Sequence, residues 1–254
     1  MAKDMNKFDQ LKPSVDFVVI ISANAEWKEV KKQFLGCELR TSPFGEWFEH
    51  TYPSVSGITK PVIFIHGGWG KVAAAGSAQY AIDTWHPRLV VNLGTCGGFE
   101  GDIERGQIVL VDKTVIYDIY EQMGDPVEHI KHYMADIDNS WISDPIPHDL
   151  VRTVLVSGDR DLFWKDVAAL KSSYGAIAGD WESGPIAWIA SKNHTPCFIL
   201  RGVTDLVGES GGEAYDGKVE YYYENTALIM RILTEALPQW LVKFTDYYSN
   251  NSSK

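Results

Sequence analysis

An α/β fold with a largely parallel, helix-covered sheet is predicted for this 254-residue chain by two features of its pattern. Short β-rich apolar runs alternate with longer helical patterns over most of the length. Those runs are continuously apolar, as in strands buried on both faces, and each ends at Gly, Ser or Asp. With no repeat, linker or break in composition, the chain reads as one domain over residues 1–254, with flexible ends at 1–14 and 246–254.

The expected strands, in order, are "DFVVIIS" (16–22), "PVIFIHG" (61–67), "RLVVNLG" (88–94), "QIVLVD" (107–112), "RTVLVSG" (152–158) and "PCFILRG" (196–202). Between them, "AEWKEVKKQFL" (25–35) repeats its apolar positions at helical spacing, and the Ala-rich "KVAAAGSAQYAIDTW" (71–85) stops before His-Pro. "GPIAWIASKN" (184–193) carries a Pro placed as in a first helical turn. "VEYYYENTALIMRILTEAL" reads as a helix of several turns ending near Pro238, followed by a frayed tail. The stretch 113–150 is polar, rich in His, Asp and Pro, and reads as an extended loop region bearing a substrate-facing segment.

Hydrophobic residues make up 45% of the chain, enough for a substantial core. Lys plus Arg is 23 against 34 for Asp plus Glu, a net charge of −11. Such a chain repels polyphosphate, and no basic patch offsets this, so nucleic acid is not an expected partner. No apolar run is long enough for a signal peptide or a membrane span. Cys37, Cys96 and Cys197 lack any paired spacing. Three scattered cysteines fit reduced thiols and a cytoplasmic protein.

In α/β sheets ligands gather at the carboxyl ends of strands, and the residues there are Gly-rich and acidic. "NLGTCGGF" (92–99) would let backbone N–H groups approach a ligand, or simply make a tight turn. It is neither a dinucleotide fingerprint nor a Walker loop. Glu26, Glu182 and Asp205 each follow a strand. Each has a plain structural explanation, as a first-turn helix charge worth about 0.3–1 kcal/mol or as a turn cap. Asp180 needs no more than that explanation. His129 and His132 are three apart and read as an exposed face, not a metal site.

Taken together, "GWGKVAAAGSAQYAIDTWHPRLVVNLGTCGGF" (68–99), "VLVSGDRDLF" (154–163) and "AIAGDWESGPIAWIASKNHTPCFILRGVTD" (176–205) resemble the nucleoside phosphorylase/nucleosidase superfamily. Within it they are most similar to the 5′-methylthioadenosine/S-adenosylhomocysteine nucleosidase branch. The resemblance runs in the same order over most of residues 16–237, weakly at 113–150. It implies a three-layer α/β/α sandwich with a mixed central sheet, no cofactor or metal, and a homodimer or higher oligomer. Asp205, preceded by Thr204, would match the acid facing purine N7. Glu182 would match the carboxylate holding the ribose hydroxyls, with Trp181 where a Met usually packs beneath the sugar. Thr95, Cys96 and Gly97 would line base and ribose, Phe163 would stack on the purine, and Tyr215 would lie near the 5′ substituent. Glu26 would orient the attacking water, although the family often has Ala-Met and then an acidic pair where this chain reads "ANAEW".

These groups suit cleavage of a purine N-glycosidic bond. A protonated Asp lets the base leave without full negative charge, typically contributing roughly 10²–10⁴-fold. A carboxylate on the sugar hydroxyls orients the ring and favours developing positive charge, and a second carboxylate activates water. The expected activity is hydrolysis of a 5′-modified adenosine such as methylthioadenosine or S-adenosylhomocysteine. A phosphorylase of this family carries Arg where this chain has Asn92 and "ANAEW", which disfavours fixed phosphate. A phosphorylase and a non-catalytic nucleoside-binding relative remain the alternatives.

Overall fold

The computed structural model describes residues 15–53, 55–59, 61–209, 211–213 and 219–251. The first apolar run forms β1 (Phe17–Ile21), whose end leads into α1 (Asn24–Gln33). A short hairpin of β2 (Arg40–Thr41) and β3 (Glu46–His50) then pairs onto β4 (Val62–His66). The Ala-rich segment forms α2 (Lys71–Trp85) and returns the chain to β5 (Leu89–Phe99). After these come β6 (Ile108–Ile116), α3 (Pro126–His132), β7 (Met134–Asp136), β8 (Val151–Ser157), α4 (Trp164–Tyr174) and β9 (Ala176–Asp180). The chain ends with α5 (Ser183–Lys192), β10 (Cys197–Gly208), β11 (Gly211–Gly212) and the long α6 (Val219–Asn251).

All of the strands belong to one mixed sheet. β1 lies parallel to both β4 and β5, and β5 lies parallel to β10. β10 then pairs antiparallel with β6, β6 parallel with β8, β8 parallel with β9, and β9 antiparallel with β5. That circuit returns to its starting strand, so five strands close on themselves while β1, β4, β3 and β2 extend as an open wing. β5 serves both parts: its early residues pair with β1 in the wing, and its end pairs with β9 in the closed part at Gly97 and Gly98, while β10 runs beside it along most of its length.

Continuous apolar runs are explained by helices on both faces. Phe17, Val19 and Ile21 point into a core shared with Trp27 and Val30 of α1 and with Ile229, Leu233 and Leu237 of α6. Val18 and Ile20 point the other way, against Ala74, Ala78 and Ala81 of α2 and Ile186 of α5. A third cluster joins Cys96, Val109, Leu155, Ala178 and Ile199, drawing on each of the five closed strands.

Two expectations are corrected. Residues 113–150 are not one extended loop: they hold the end of β6, α3 and β7, with β7 paired to β6. The long helix does not end near Pro238, which lies inside α6, and the segment 246–251 expected to fray is helical. An interior Pro costs about 3 kcal/mol. Beyond it Trp240, Leu241 and Phe244 are fully buried, each worth about 1.5–3 kcal/mol, and Tyr247 and Tyr248 pack on the same core. Burial of that face outweighs the lost hydrogen bond.

Candidate active site

The site forms where β5 leaves the open wing, beside the second half of β10. Between Val203 and Asp205 the register of β10 shifts by one residue, and this bulge turns the Asp205 side chain beside Gly97. Gly97 pairs with Asp205 on one side and with Gly179 of β9 on the other. The glycines leave open space over the strands, and a cavity of about 340 Å³ occupies it. Asn225 of α6 donates to the Thr204 carbonyl at 2.8 Å, holding the bulge from the helical side.

Five carboxylates line this cavity: Glu26, Asp161, Asp180, Glu182 and Asp205. Glu26 stands in the first turn of α1. Its Oε1 accepts from the Thr95 N–H (2.6 Å) and Thr95 Oγ1 (2.9 Å), and its Oε2 accepts from the Ala23 N–H (3.2 Å). Burial raises its pKa above the usual carboxylate value, although Arg201 and the Thr95 and Ala23 donors pull the other way. Glu182, at the N-cap of α5, accepts from the Gly70 N–H at 3.0 Å. Burial, with Asp180 and Glu26 nearby, pushes it up to about 8. Gly70 has a φ of 84°, a left-handed conformation that favours glycine and aims its N–H at the acid. Asp205 accepts from Thr204 Oγ1 at 2.7 Å. Burial raises its pKa, and Glu213 and Asp161 add to the shift, against that hydroxyl.

Behind these acids lies a buried cation. Arg201, only 1% exposed, donates from Nε to Asp180 (2.8 Å) and to Ser183 Oγ (2.9 Å), and from Nη2 to Asn92. Asp180 also accepts from Ser157 Oγ at 2.6 Å and from the Ser183 N–H. Asp180 therefore does more than favour a helix start: it neutralises an arginine in the sheet. Gly94 makes room for this arrangement. A Cβ there would stand 2.0 Å from Arg201 Nη1 and 2.7 Å from Glu26 Oε1.

The structure brings Asp205, Thr204, Glu26, Glu182, Trp181, Thr95, Cys96 and Gly97 to the one cavity. Phe163 is a correction. It is 46% exposed, and Leu162 takes the place on the cavity wall. Leu162, one residue earlier in the loop, packs with Phe99, Val156 and Val207, and Phe163 faces outward. Tyr215 lies outside the described residues. Lys71 is tied to Asp118 and stays out of the cavity lining.

Trp69, Asp161, Leu162 and Tyr222 also line the site. Trp69 sits between Gly68 and Gly70, both at positive φ, and its ring lies 5.6 Å from that of Trp181. The paired glycines were a usable signal. So was an arginine inside the apolar run "CFILRG", since a charge there must be paired. Tyr222, whose hydroxyl is pushed up to about 12 by burial and the nearby Glu26, carried no such mark. Among the described residues no group of three or more His, Cys, Asp or Glu could hold a metal ion.

The 5′-methylthioadenosine/S-adenosylhomocysteine nucleosidase of Marinomonas sp. (strain MWYL1) is 23% identical over 190 residues, 68% of this chain and 80% of that protein. The nucleosidase of the same description from Hydrogenovibrio crunogenus is 27% identical over 203 residues, 74% and 85% of the two chains. In three dimensions, the 5′-methylthioadenosine nucleosidase of Arabidopsis thaliana in apo form shares the fold with a TM-score of 0.72. It is 20% identical, and the match covers 92% of this chain and 97% of that one. The model of the phosphorylase superfamily matches residues 17–238, which span both the wing and the closed strands, and the chain belongs to that superfamily.

Proposed function

We propose that this chain hydrolyses the N-glycosidic bond of a purine nucleoside, a 5′-modified adenosine such as methylthioadenosine or S-adenosylhomocysteine, and releases the free base. One observation carries the reading: Glu26, Glu182 and Asp205 are buried and face a single cavity, while the cation behind them is already held by Asp180, which also lines it, and by Ser183 and Asn92. No side chain lining the cavity among the described residues is a Lys or Arg. An incoming phosphate therefore finds no free cation to fix it, and water is the better nucleophile. The names of the relatives support the same substrate class.

In this reading burial raises the Asp205 pKa and favours its protonated form, which gives its proton to purine N7 as the glycosidic bond breaks. Glu182 holds the ribose hydroxyls beside Trp181. Glu26 orients water from the opposite end, with Thr95 fixing its carboxylate. The chain works as one domain, as a cytoplasmic protein whose three cysteines stay free thiols, and as a homodimer. Exposed Trp69, Val72, Tyr120, Met123, Phe163 and Trp164 support the dimer. Lys71 ties their loops together through Asp118 and Asp159. Light scattering reads that assembly directly, and a monomer removes it.

The deciding experiment incubates the pure protein with methylthioadenosine, S-adenosylhomocysteine, adenosine and inosine, with and without phosphate. Free base with a reducing sugar in phosphate-free buffer is the expected outcome. A sugar 1-phosphate, or base release only when phosphate is present, would make the chain a phosphorylase. Tight binding with no base release would make it a binding protein.

A further inference from the structure

Asp205 sits on an irregular piece of strand, and the residues on either side of it are held in different ways. Val203, before the bulge, is braced by the turn between β5 and β6. Its N–H donates to the Gln107 carbonyl at 3.0 Å, and its carbonyl accepts from the Gly106 N–H at 2.9 Å. The Thr204 carbonyl accepts from Asn225 of α6. Leu206, directly after the acid, has a side chain for a partner: its N–H donates to Glu213 Oε2 at 3.0 Å.

The hairpin at the end of β10 brings Glu213 to that place. β11 folds back antiparallel, with Val207 opposite Gly212 and Gly208 opposite Gly211. Gly211 has a φ of 109°, a conformation that favours glycine. The Glu213 N–H then donates to the Leu206 carbonyl at 3.1 Å, so Glu213 holds Leu206 twice, by backbone and by side chain. Its other oxygen, Oε1, accepts from Arg105 Nη1 at 3.0 Å. Arg105 belongs to the same turn that braces Val203, and this salt bridge joins the two sides of the bulge. The Glu213 charge also reaches Asp205, where it adds to burial in favouring the protonated acid. Neither Arg105 nor Glu213 lines the cavity.

We infer that Glu213 is a positioning residue for the reaction: by clasping the Leu206 N–H it fixes the bulge that aims Asp205 at the leaving base. The inference rests on the nucleosidase reading above and adds to it a residue outside the cavity. A displacement of about 1 Å in a reacting group can cost about 100-fold in rate, and the clasp removes that freedom at the residue next to the acid.

The test measures kcat and KM for 5′-methylthioadenosine in the wild type, Glu213→Ala and Glu213→Gln, with circular dichroism to check the fold. Glutamine keeps an oxygen that can accept from the Leu206 N–H, whereas alanine leaves that donor without its partner. Glu213→Ala is expected to lower kcat by about tenfold or more with KM little changed, because Asp205 acts on the base as it leaves. Glu213→Gln should recover most of that loss. An unchanged kcat in Glu213→Ala, a rise in KM in place of the fall in kcat, or a glutamine variant as slow as the alanine one overturns the inference. If Glu213→Ala does not fold, Glu213→Asp takes its place. It keeps the charge but is one methylene too short for the clasp, so the same fall in kcat is expected and a wild-type kcat overturns the inference. Every rate is taken with and without phosphate. Base release only with phosphate ends the nucleosidase reading, and the same comparison of variants still decides the role of Glu213. Release in neither buffer overturns both.

Discussion

At the scale of single residues, the site separates acids by what surrounds them. Asp205 has one hydroxyl donor and deep burial, so it favours the proton. Asp180 has an arginine and two serines, so it serves as a counter-charge. This division predicts different failures. Asp205→Asn removes the proton donor from the leaving base, and kcat should fall by roughly 100-fold or more with the thermal midpoint preserved; substantial turnover would remove Asp205 from the acid role. Asp180→Asn leaves Arg201 buried without its charge partner, and the chain should lose about 3–5 kcal/mol in chemical denaturation. A loss under 1 kcal/mol would mean that Asn92 and Ser183 suffice to hold the guanidinium.

At the scale of elements, small backbone details decide whether strands and helices can meet. Gly94→Ala would drive a methyl group between Glu26 and Arg201. The expected result is loss of both stability and base release, and a fully active, equally stable variant would contradict the geometry. In α6, Pro238→Ala restores a helical N–H, and unfolding free energy should rise by about 1–3 kcal/mol; a decrease would show that the proline is needed. The same elements explain what could be read in advance. β1, β4, β5 and β10 are continuous apolar runs, and both α2 boundaries are visible in "GKVAAA" and "WHP". The hairpin of β2 and β3 was missed because its residues are largely half-buried or exposed and carry little hydrophobic pattern. β9, "AIAGD", has small residues and a glycine where Leu162 packs, so it lacks a strand's usual bulk. Pro238 misled because an interior proline normally ends a helix, and the buried face that sustains this one comes from tertiary packing. The site was more legible than the fold around it: the acids lay at strand ends, whereas Phe163 was misplaced by a single residue of loop register.

At the scale of the whole molecule, the raised carboxylates make stability depend on pH. Glu26, Glu182 and Asp205 all hold protons more tightly folded than unfolded. The folded chain therefore carries more protons above the ordinary carboxylate range, and its stability falls as pH rises through the folded values. For Glu182 that window runs from its ordinary 4.5 to about 8. The Tm should decline from pH 5 to pH 8, and Glu182→Gln should flatten the decline without abolishing it, since two raised acids remain; parallel curves for the two proteins would refute the assignment. The net charge of −11 at pH 7 pushes the same way through self-repulsion, which is why the comparison with Glu182→Gln isolates the site. The closed circuit of strands has one more consequence, for the order of events as the chain folds. Gly70 and Glu182 lie 112 residues apart in sequence, and Asn92 and Arg201 lie 109 apart. Contacts so distant pay their loop-closure entropy before they return any energy, so they form late and slowly. The catalytic pocket is therefore among the last features to mature, and a nucleoside can select only chains that have already completed the circuit.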